Sequence, residues 1–217
     1  MNNKKTYLSK DANIRLKDYL ESQGRELQLV STEGIVSRGI SNHPDVFFCK
    51  LGLGDDAPIH MALPQDLGPS YPQDSRFNAA CTGKFFIHNL RITSPPLLEQ
   101  ARDMGMTFVD VMQGYSKCSI AIVDESSIIT CDQGIYDTCL DIPDLSVLKV
   151  APGHVRLDGY PYGFIGGTCG RVGNELIFNG NLGAHPDFVD IVSFIEERGV
   201  TPKWFPEYQL TDIGSIL

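Results

Sequence analysis

A pattern of two short strands, a helix and a third strand recurs three times after residue 77, and this recurrence limits the folds open to the chain. In its first occurrence, residues 77 to 81 and 84 to 88 read as strands that meet at Thr82-Gly83. Residues 94 to 105 follow as a helix, with Ser94 as cap, proline just inside and Gly105 as stop. Residues 107 to 112 then alternate as a strand. The second occurrence runs from a hairpin, 118 to 123 and 127 to 131, through a short helix at 135 to 140, to a strand at 146 to 150. In the third, residues 163 to 169 and 175 to 179 flank the turn Gly-Arg-Val-Gly-Asn. A helix opens at His185-Pro186-Asp187 and runs to Arg198, its stripe Phe188, Ile191, Val192 and Ile195 at core spacing. Gly199 ends it, and residues 201 to 206 leave as a strand.

Units of this size cannot each bury their own apolar face, so they stack, and a ring protects the sheet edges. The apolar stretch 210 to 217 reads as a last strand that pairs beside an early one and closes such a ring. The first part of the chain reads as an incomplete unit. Residues 9 to 23 have helical spacing, with Ile14, Leu16, Tyr19 and Leu20 on one face, Ser9 or Asp11 as cap and Gly24 as stop. Leu27, Leu29 and Val30 form a short strand, residues 46 to 51 another, and 59 to 63 its return. Residues 64 to 76 hold three prolines and read as a surface loop, while Lys4 and Lys5 read as a solvated polar start. At 217 residues the chain is expected to be a single domain, with 1–25 as an N-terminal helical segment.

The net charge of -9 repels a phosphate backbone, which argues against nucleic acid as a partner. No apolar stretch is long enough to span a membrane. Cys49, Cys81, Cys118, Cys131, Cys139 and Cys169 include no C-x-x-C pair, and the first residues contain no apolar leader. Six unpaired thiols in a reducing cytoplasm are expected, with no metal site and no cofactor. The glycine-rich stretches at 52 to 56 and 170 to 174 match neither a P-loop nor a dinucleotide fingerprint.

Four segments carry a resemblance: GKFFIHNL, SKCSIAIVDESSIITCDQGI, GFIGGTCGRVGNELIFNGNLGAHPDF and PEYQLTDIGSIL. They resemble the pentein superfamily, the α/β-propeller fold of the guanidine-modifying enzymes, and especially an uncharacterised bacterial family within it. The resemblance implies an α/β architecture, a pseudo-symmetric ring of strand–strand–helix–strand units. It also implies a chemistry in which a thiolate attacks a guanidinium carbon, a histidine moves protons and carboxylates grip the nitrogens. The superfamily's nucleophilic cysteine lies on the last strand, where this sequence has Gly214 and Ser215. The carboxylate expected before a Gly-Gly pair is also missing, since Ile165 precedes Gly166-Gly167. The resemblance therefore implies that the standard route is lost.

Cys169 follows Gly166-Gly167-Thr168, where glycines let backbone approach a ligand and a thiol could react. The plainer alternative is a buried strand cysteine. Asp212 sits on an apolar strand, where a carboxylate needs a partner or a wet cavity. His88 is a candidate proton carrier at a strand end, against the alternative of a structural histidine. Lys117 and Asp132 open and close one hairpin and suit a zwitterionic ligand, or else simple surface exposure. His185 marks the start of a helix and His154 has no evident partner. The expectation is thus a protein that binds a small polar or guanidino ligand in a central channel through Asp212, Lys117, Asp132, Gly166 and Gly167. A divergent hydrolase or transferase with Cys169 or Cys118 as nucleophile is the first alternative, with His88 and Asp212 assisting. A non-catalytic interaction module is the second, since this fold also occurs in a ribosome anti-association factor. The oligomeric state is left open.

Overall fold

The computed structural model describes residues 4–31 and 34–217. The chain is a mixed α/β protein, and the strands among the described residues form five small sheets. In chain order, the first sheet pairs β1 (Lys4–Ser9) in parallel with β2 (Arg25–Val30) across helix α1 (Ile14–Ser22). The second follows the one-turn helix α2 (Pro44–Phe47) and is an antiparallel pair, β3 (Phe48–Lys50) and β4 (Ile59–Met61).

The remaining sheets repeat one plan. An antiparallel pair is followed by a helix, and the third strand returns parallel to the second. The third sheet uses β5 (Ala80–Cys81), β6 (Phe85–His88), α3 (Pro95–Asp103) and β7 (Thr107–Asp110). The fourth follows the one-turn helix α4 (Ser116–Ser119) and uses β8 (Ile120–Asp124), β9 (Ser127–Thr130), α5 (Gln133–Leu140) and β10 (Ser146–Lys149). The fifth follows a 3₁₀ turn at Gly166–Thr168 and uses β11 (Cys169–Val172), β12 (Glu175–Phe178), α6 (Phe188–Glu196) and β13 (Thr201–Lys203). Leu217 exchanges both backbone hydrogen bonds with Tyr7, at 2.9 and 3.1 Å, the signature of an antiparallel pair. With Leu217 beside β1, the first sheet acquires the same strand–strand–helix–strand order from two distant parts of the chain.

Apolar side chains fill the spaces between sheets that follow one another in the chain. Ile87 and Val109 of the third sheet pack with Ile120 and Ile128 of the fourth. Val123 and Ile129 of the fourth pack with Leu176 and Phe178 of the fifth. Cys49 and Leu51 pack with Phe77 and Phe86, joining the second sheet to the third. Val30 meets Val46 and Phe47, joining the first to the second. Leu8, Leu16 and Leu20 meet Ile177, Ile213 and Ile216, so that the last sheet also packs against the first.

The expected helices stand, and Ile191 and Ile195 of α6 are buried as their spacing requires. Several expectations are corrected. Asn13, not Ser9 or Asp11, caps α1 by accepting from the Arg15 N–H, and Ile14 is 64% exposed. Lys4 and Lys5 do expose their side chains, but they begin β1, whose Thr6, Leu8 and Ser9 are buried. Residues 46 to 51, 118 to 123 and 163 to 169 do not run as strands from their first residues. Each takes a helical turn before extending. Residues 210 to 217 form no long strand. They make a bridge between Thr211 and Arg156 and the pairing of Leu217 with Tyr7. The loop at 64 to 76 contains two 3₁₀ turns and is not wholly a surface excursion, since Asp74 and Ser75 are buried. All six cysteines are unpaired. Among the described residues, no helix is long and apolar enough to cross a membrane.

Candidate functional site

The turns that precede the strands bring polar residues together. Asp45 lies in α2, Asn78 just before β5, Lys117 and Cys118 in α4, and Gly166 and Gly167 in the 3₁₀ turn before β11. Asp212, Gly214 and Ser215 precede the segment that pairs with β1. Hydrogen bonds join each group to the next. The Asp45 N–H donates to the Gly214 carbonyl at 3.1 Å, and Asn78 Nδ2 donates to the Asp45 carbonyl at 3.1 Å. The Lys117 N–H donates to the Asn78 carbonyl at 2.9 Å, and Lys117 Nζ reaches the Gly166 carbonyl at 3.4 Å. The Ser215 N–H closes the circuit on the Gly167 carbonyl at 2.9 Å.

Inside this circuit the side chains form a second network. Lys117 Nζ donates to Ser215 Oγ at 2.9 Å, and Ser215 Oγ donates to Asp45 Oδ2 at 2.6 Å. The Cys118 thiol donates to the same Asp45 Oδ2 at 3.1 Å, and Asn78 Nδ2 lies 3.3 Å from Cys118 Sγ. All five side chains are buried. A charged group in such a place must be paired or change its protonation state. Burial pushes the Asp45 carboxyl above the usual carboxylate range, while His43, Lys117 and the Ser215 hydroxyl pull it down. Burial, and then the charges of Asp45 and Asp212, push the Cys118 thiol well above its ordinary value.

Beside this network lies a cavity of about 310 Å³. Cys118, His43 and Asp212 line it, with the aromatic side chains Tyr115, Tyr160, Tyr162 and Phe164. Asp212 accepts the Phe164 N–H at 2.9 Å on Oδ2 and the Gly214 N–H at 3.0 Å on Oδ1. Burial pushes its carboxyl up to about 6 despite these two donors. His43 Nδ1 lies 3.8 Å from Asp212 Oδ1, beyond hydrogen-bond reach, and burial lowers the pKa of the imidazole. Two buried atoms here make no hydrogen bond at all: His43 Nδ1 and Asp45 Oδ1.

The geometry sorts the residues singled out in the sequence. Asp212 and Cys118 line the cavity, and Lys117 does not, its Nζ lying on Ser215 Oγ. Gly166 and Gly167 are needed for packing. A Cβ on Gly166 would overlap backbone of Lys117 and Ile120, and one on Gly167 would overlap the Asp212 carboxylate. Asp132 caps α5 by accepting from the Ile135 N–H at 2.9 Å and takes a second bond from Gln113, so it does not pair with Lys117. Cys169 lies in the core among Ala121, Leu176 and Phe178, away from the cavity lining. Burial pushes its thiol up to about 12. His88 is fully buried, with Nε2 facing the Ser75 and Gly114 carbonyls at 3.1 and 2.7 Å. Those two acceptors require the proton on Nε2, and Nδ1 lies 2.6 Å from the Thr93 hydroxyl, which also reaches the Asn89 carbonyl at 2.9 Å. Burial lowers this imidazole to about 4, and it does not line the cavity.

His43 and Asp45 were not singled out in the sequence. The signal was a repeated tripeptide. His43-Pro44-Asp45 has the same letters as His185-Pro186-Asp187. At 185 the histidine accepts the Asp187 N–H at 3.1 Å and Asp187 accepts the Ala151 N–H, a structural closure beside α6. At 43 the same letters leave one buried atom on each side chain without a partner.

A family model matches residues 58–217, nearly three quarters of the chain. The chain belongs to the DUF6873 family, a family of unknown function. No curated protein and no solved structure matches it. The DUF6873 match takes in Asn78, Lys117, Cys118, Asp212 and Ser215, while His43 and Asp45 precede it.

Proposed function

We propose that this protein is a pentein-type enzyme that acts on a small cationic guanidino or amidino compound, with Cys118 as nucleophile. The observation that carries this reading is the Cys118 thiol donating to Asp45 on the wall of a cavity that also holds His43 and Asp212. The propeller reading draws support from the shared strand–strand–helix–strand order. It also draws support from the hydrogen-bond circuit, and from apolar contacts that lead from each sheet to the next and back to the first.

The cavity suits a cation for two physical reasons. Carboxylates at Asp212 and Asp45 lie in a poorly hydrated place, so a positive ligand relieves their mutual repulsion. Four aromatic side chains, Tyr115, Tyr160, Tyr162 and Phe164, line the cavity, and aromatic rings attract cations through their faces. The same cation answers the high thiol pKa. Positive charge beside Sγ stabilises the thiolate that burial and the two carboxylates otherwise oppose.

In the proposed reaction, Asp45 Oδ2 takes the Cys118 proton and Sγ attacks the electrophilic carbon, forming a C–S bond. Asp212 grips the ligand's N–H groups. The C–N bond breaks, and the departing amine takes the proton held on Asp45, relayed through His43. Water then attacks the same carbon and gives a proton back to Asp45, the C–S bond breaks, and Sγ regains that proton as the thiol. The Lys117–Ser215 pair is not the nucleophilic dyad, because Ser215 is fully buried and does not line the cavity.

The test is a screen of guanidino and amidino compounds for release of ammonia, amine or urea, run in the presence of a chelator. Turnover is expected to fall to background in Cys118→Ser, to drop about 10²–10⁴-fold in Asp45→Asn, and to persist in Cys169→Ala. Turnover that survives Cys118→Ser, or no turnover with any such compound, overturns the reading.

A further inference from the structure

His43, Asp45 and Cys118 each offer one donor atom, and the three atoms lie within 4.8 Å of one another. All three residues are buried. His43 Nδ1 and Asp45 Oδ1 make no hydrogen bond, and an unmet buried polar atom costs about 1–3 kcal/mol. Two such atoms on neighbouring side chains, next to a thiol, call for a bound partner. Nitrogen, carboxylate oxygen and sulfur together select an ion of borderline softness. Calcium and magnesium take oxygen ligands and do not suit an imidazole and a thiol.

We infer that His43, Asp45 and Cys118 form a site for one divalent cation of the zinc class. Bonds of about 2.0–2.3 Å in a tetrahedron place donors between roughly 3 and 4 Å apart, so the ion draws these three inward by about 1 Å. Asp45 Oδ1 has no bond to give up. The thiol loses its proton to solvent, and the thiolate becomes the sulfur ligand. His43 and Cys118 both line the cavity, so the fourth position faces it and is open to water or a ligand. A sulfur held by the ion cannot attack carbon, so the bound metal silences the thiol reaction proposed above. The site itself does not depend on that reaction.

Sequence spacing does not reveal the set, because the sulfur comes from α4 and the other two donors from the start of α2, with Cys118 73 positions beyond Asp45. Proteins that hold zinc through closely spaced cysteines announce it in their spacing. This set forms only when the two turns meet.

The probe is Co²⁺ alone, added to protein first freed of metal by a chelator. One equivalent is expected to bind with a thiolate-to-cobalt charge-transfer band, and Zn²⁺ should displace it. The band should vanish in Cys118→Ser and persist in Cys131→Ala. Affinity should fall at least about tenfold in His43→Gln and in Asp45→Asn. Absence of the band, or its persistence in Cys118→Ser, overturns the inference. X-ray absorption at the cobalt edge needs no variant. One sulfur in the first shell is expected, and a shell of only nitrogen and oxygen refutes the site. Failure of the guanidino screen in chelator sinks the reaction and leaves this site standing. Failure of cobalt binding does the reverse.

Discussion

Ser215 has a φ of 73°, in the left-handed region that costs an L-residue roughly 1–2 kcal/mol. The residue is held there because its hydroxyl joins Lys117 to Asp45. This makes an unusual ranking testable. Ser215→Ala removes both hydrogen bonds and keeps the strain. Ser215→Gly removes the same bonds and releases the strain. Both variants should be less stable than wild type, since Lys117 loses a buried acceptor. The glycine variant should be the more stable of the two by about 1 kcal/mol in urea unfolding, the reverse of their usual order in regular structure. An alanine variant equal to or more stable than the glycine variant would show that the backbone relaxes without strain. Lys117 could be noticed in the sequence as a charge that opens a hairpin, and Asp212 as a charge on an apolar strand. Asp45 and His43 escaped notice because they stand just before residues 46 to 51, an apolar run that reads as a strand. Only the register of Gly214 and Ser215 against α2 shows that the Asp45 N–H is already satisfied, which leaves its carboxylate free to serve the centre.

At the scale of elements, α6 and α1 offer a matched contrast. Ile191 on α6 is fully buried among Val150, Leu176 and Leu182, and Ile191→Ala should cost about 2–5 kcal/mol. Ile14 opens α1 with its side chain mostly in water, and Ile14→Ala should change stability by less than about 0.5 kcal/mol. Similar losses in the two variants, measured by denaturant unfolding, would mean that one face is misassigned. Helices were legible because spacing, proline at the start and glycine at the stop all point the same way, as at Pro95 and Gly105. The hairpins were legible for the same reason. The turns at Pro44–Phe47, Ser116–Ser119 and Gly166–Thr168 were not, since each leads into an apolar run that reads as one strand. What bends them is non-local: Asp45 N–H on Gly214, Lys117 N–H on Asn78, and Gly167 against Asp212. The misread turns are the same ones that carry the candidate site, so the part of the fold hidden from local pattern is the part that assembles it.

Across the whole molecule, the pairing of Leu217 with Tyr7 joins residues 210 positions apart. Ile216 is buried against Leu8, Leu16, Leu20 and Ile177, so it ties the first sheet to the last. Removing Ile216 and Leu217 should cost at least about 3 kcal/mol, from two lost buried side chains and three lost backbone bonds. A truncated protein that unfolds in urea at the wild-type midpoint would show that this closure adds nothing. The circuit that holds Asp45 against Cys118 runs through Gly214 and Ser215, immediately before that closure. Contacts so distant in sequence form late, because loop closure must precede any gain from them. A polypeptide that has not yet brought Leu217 back to Tyr7 lacks the Gly214 and Ser215 hydrogen bonds to Asp45. In the proposed reaction, thiol reactivity is therefore coupled to a contact between the first sheet and residues 214 to 217, far from the thiol in sequence.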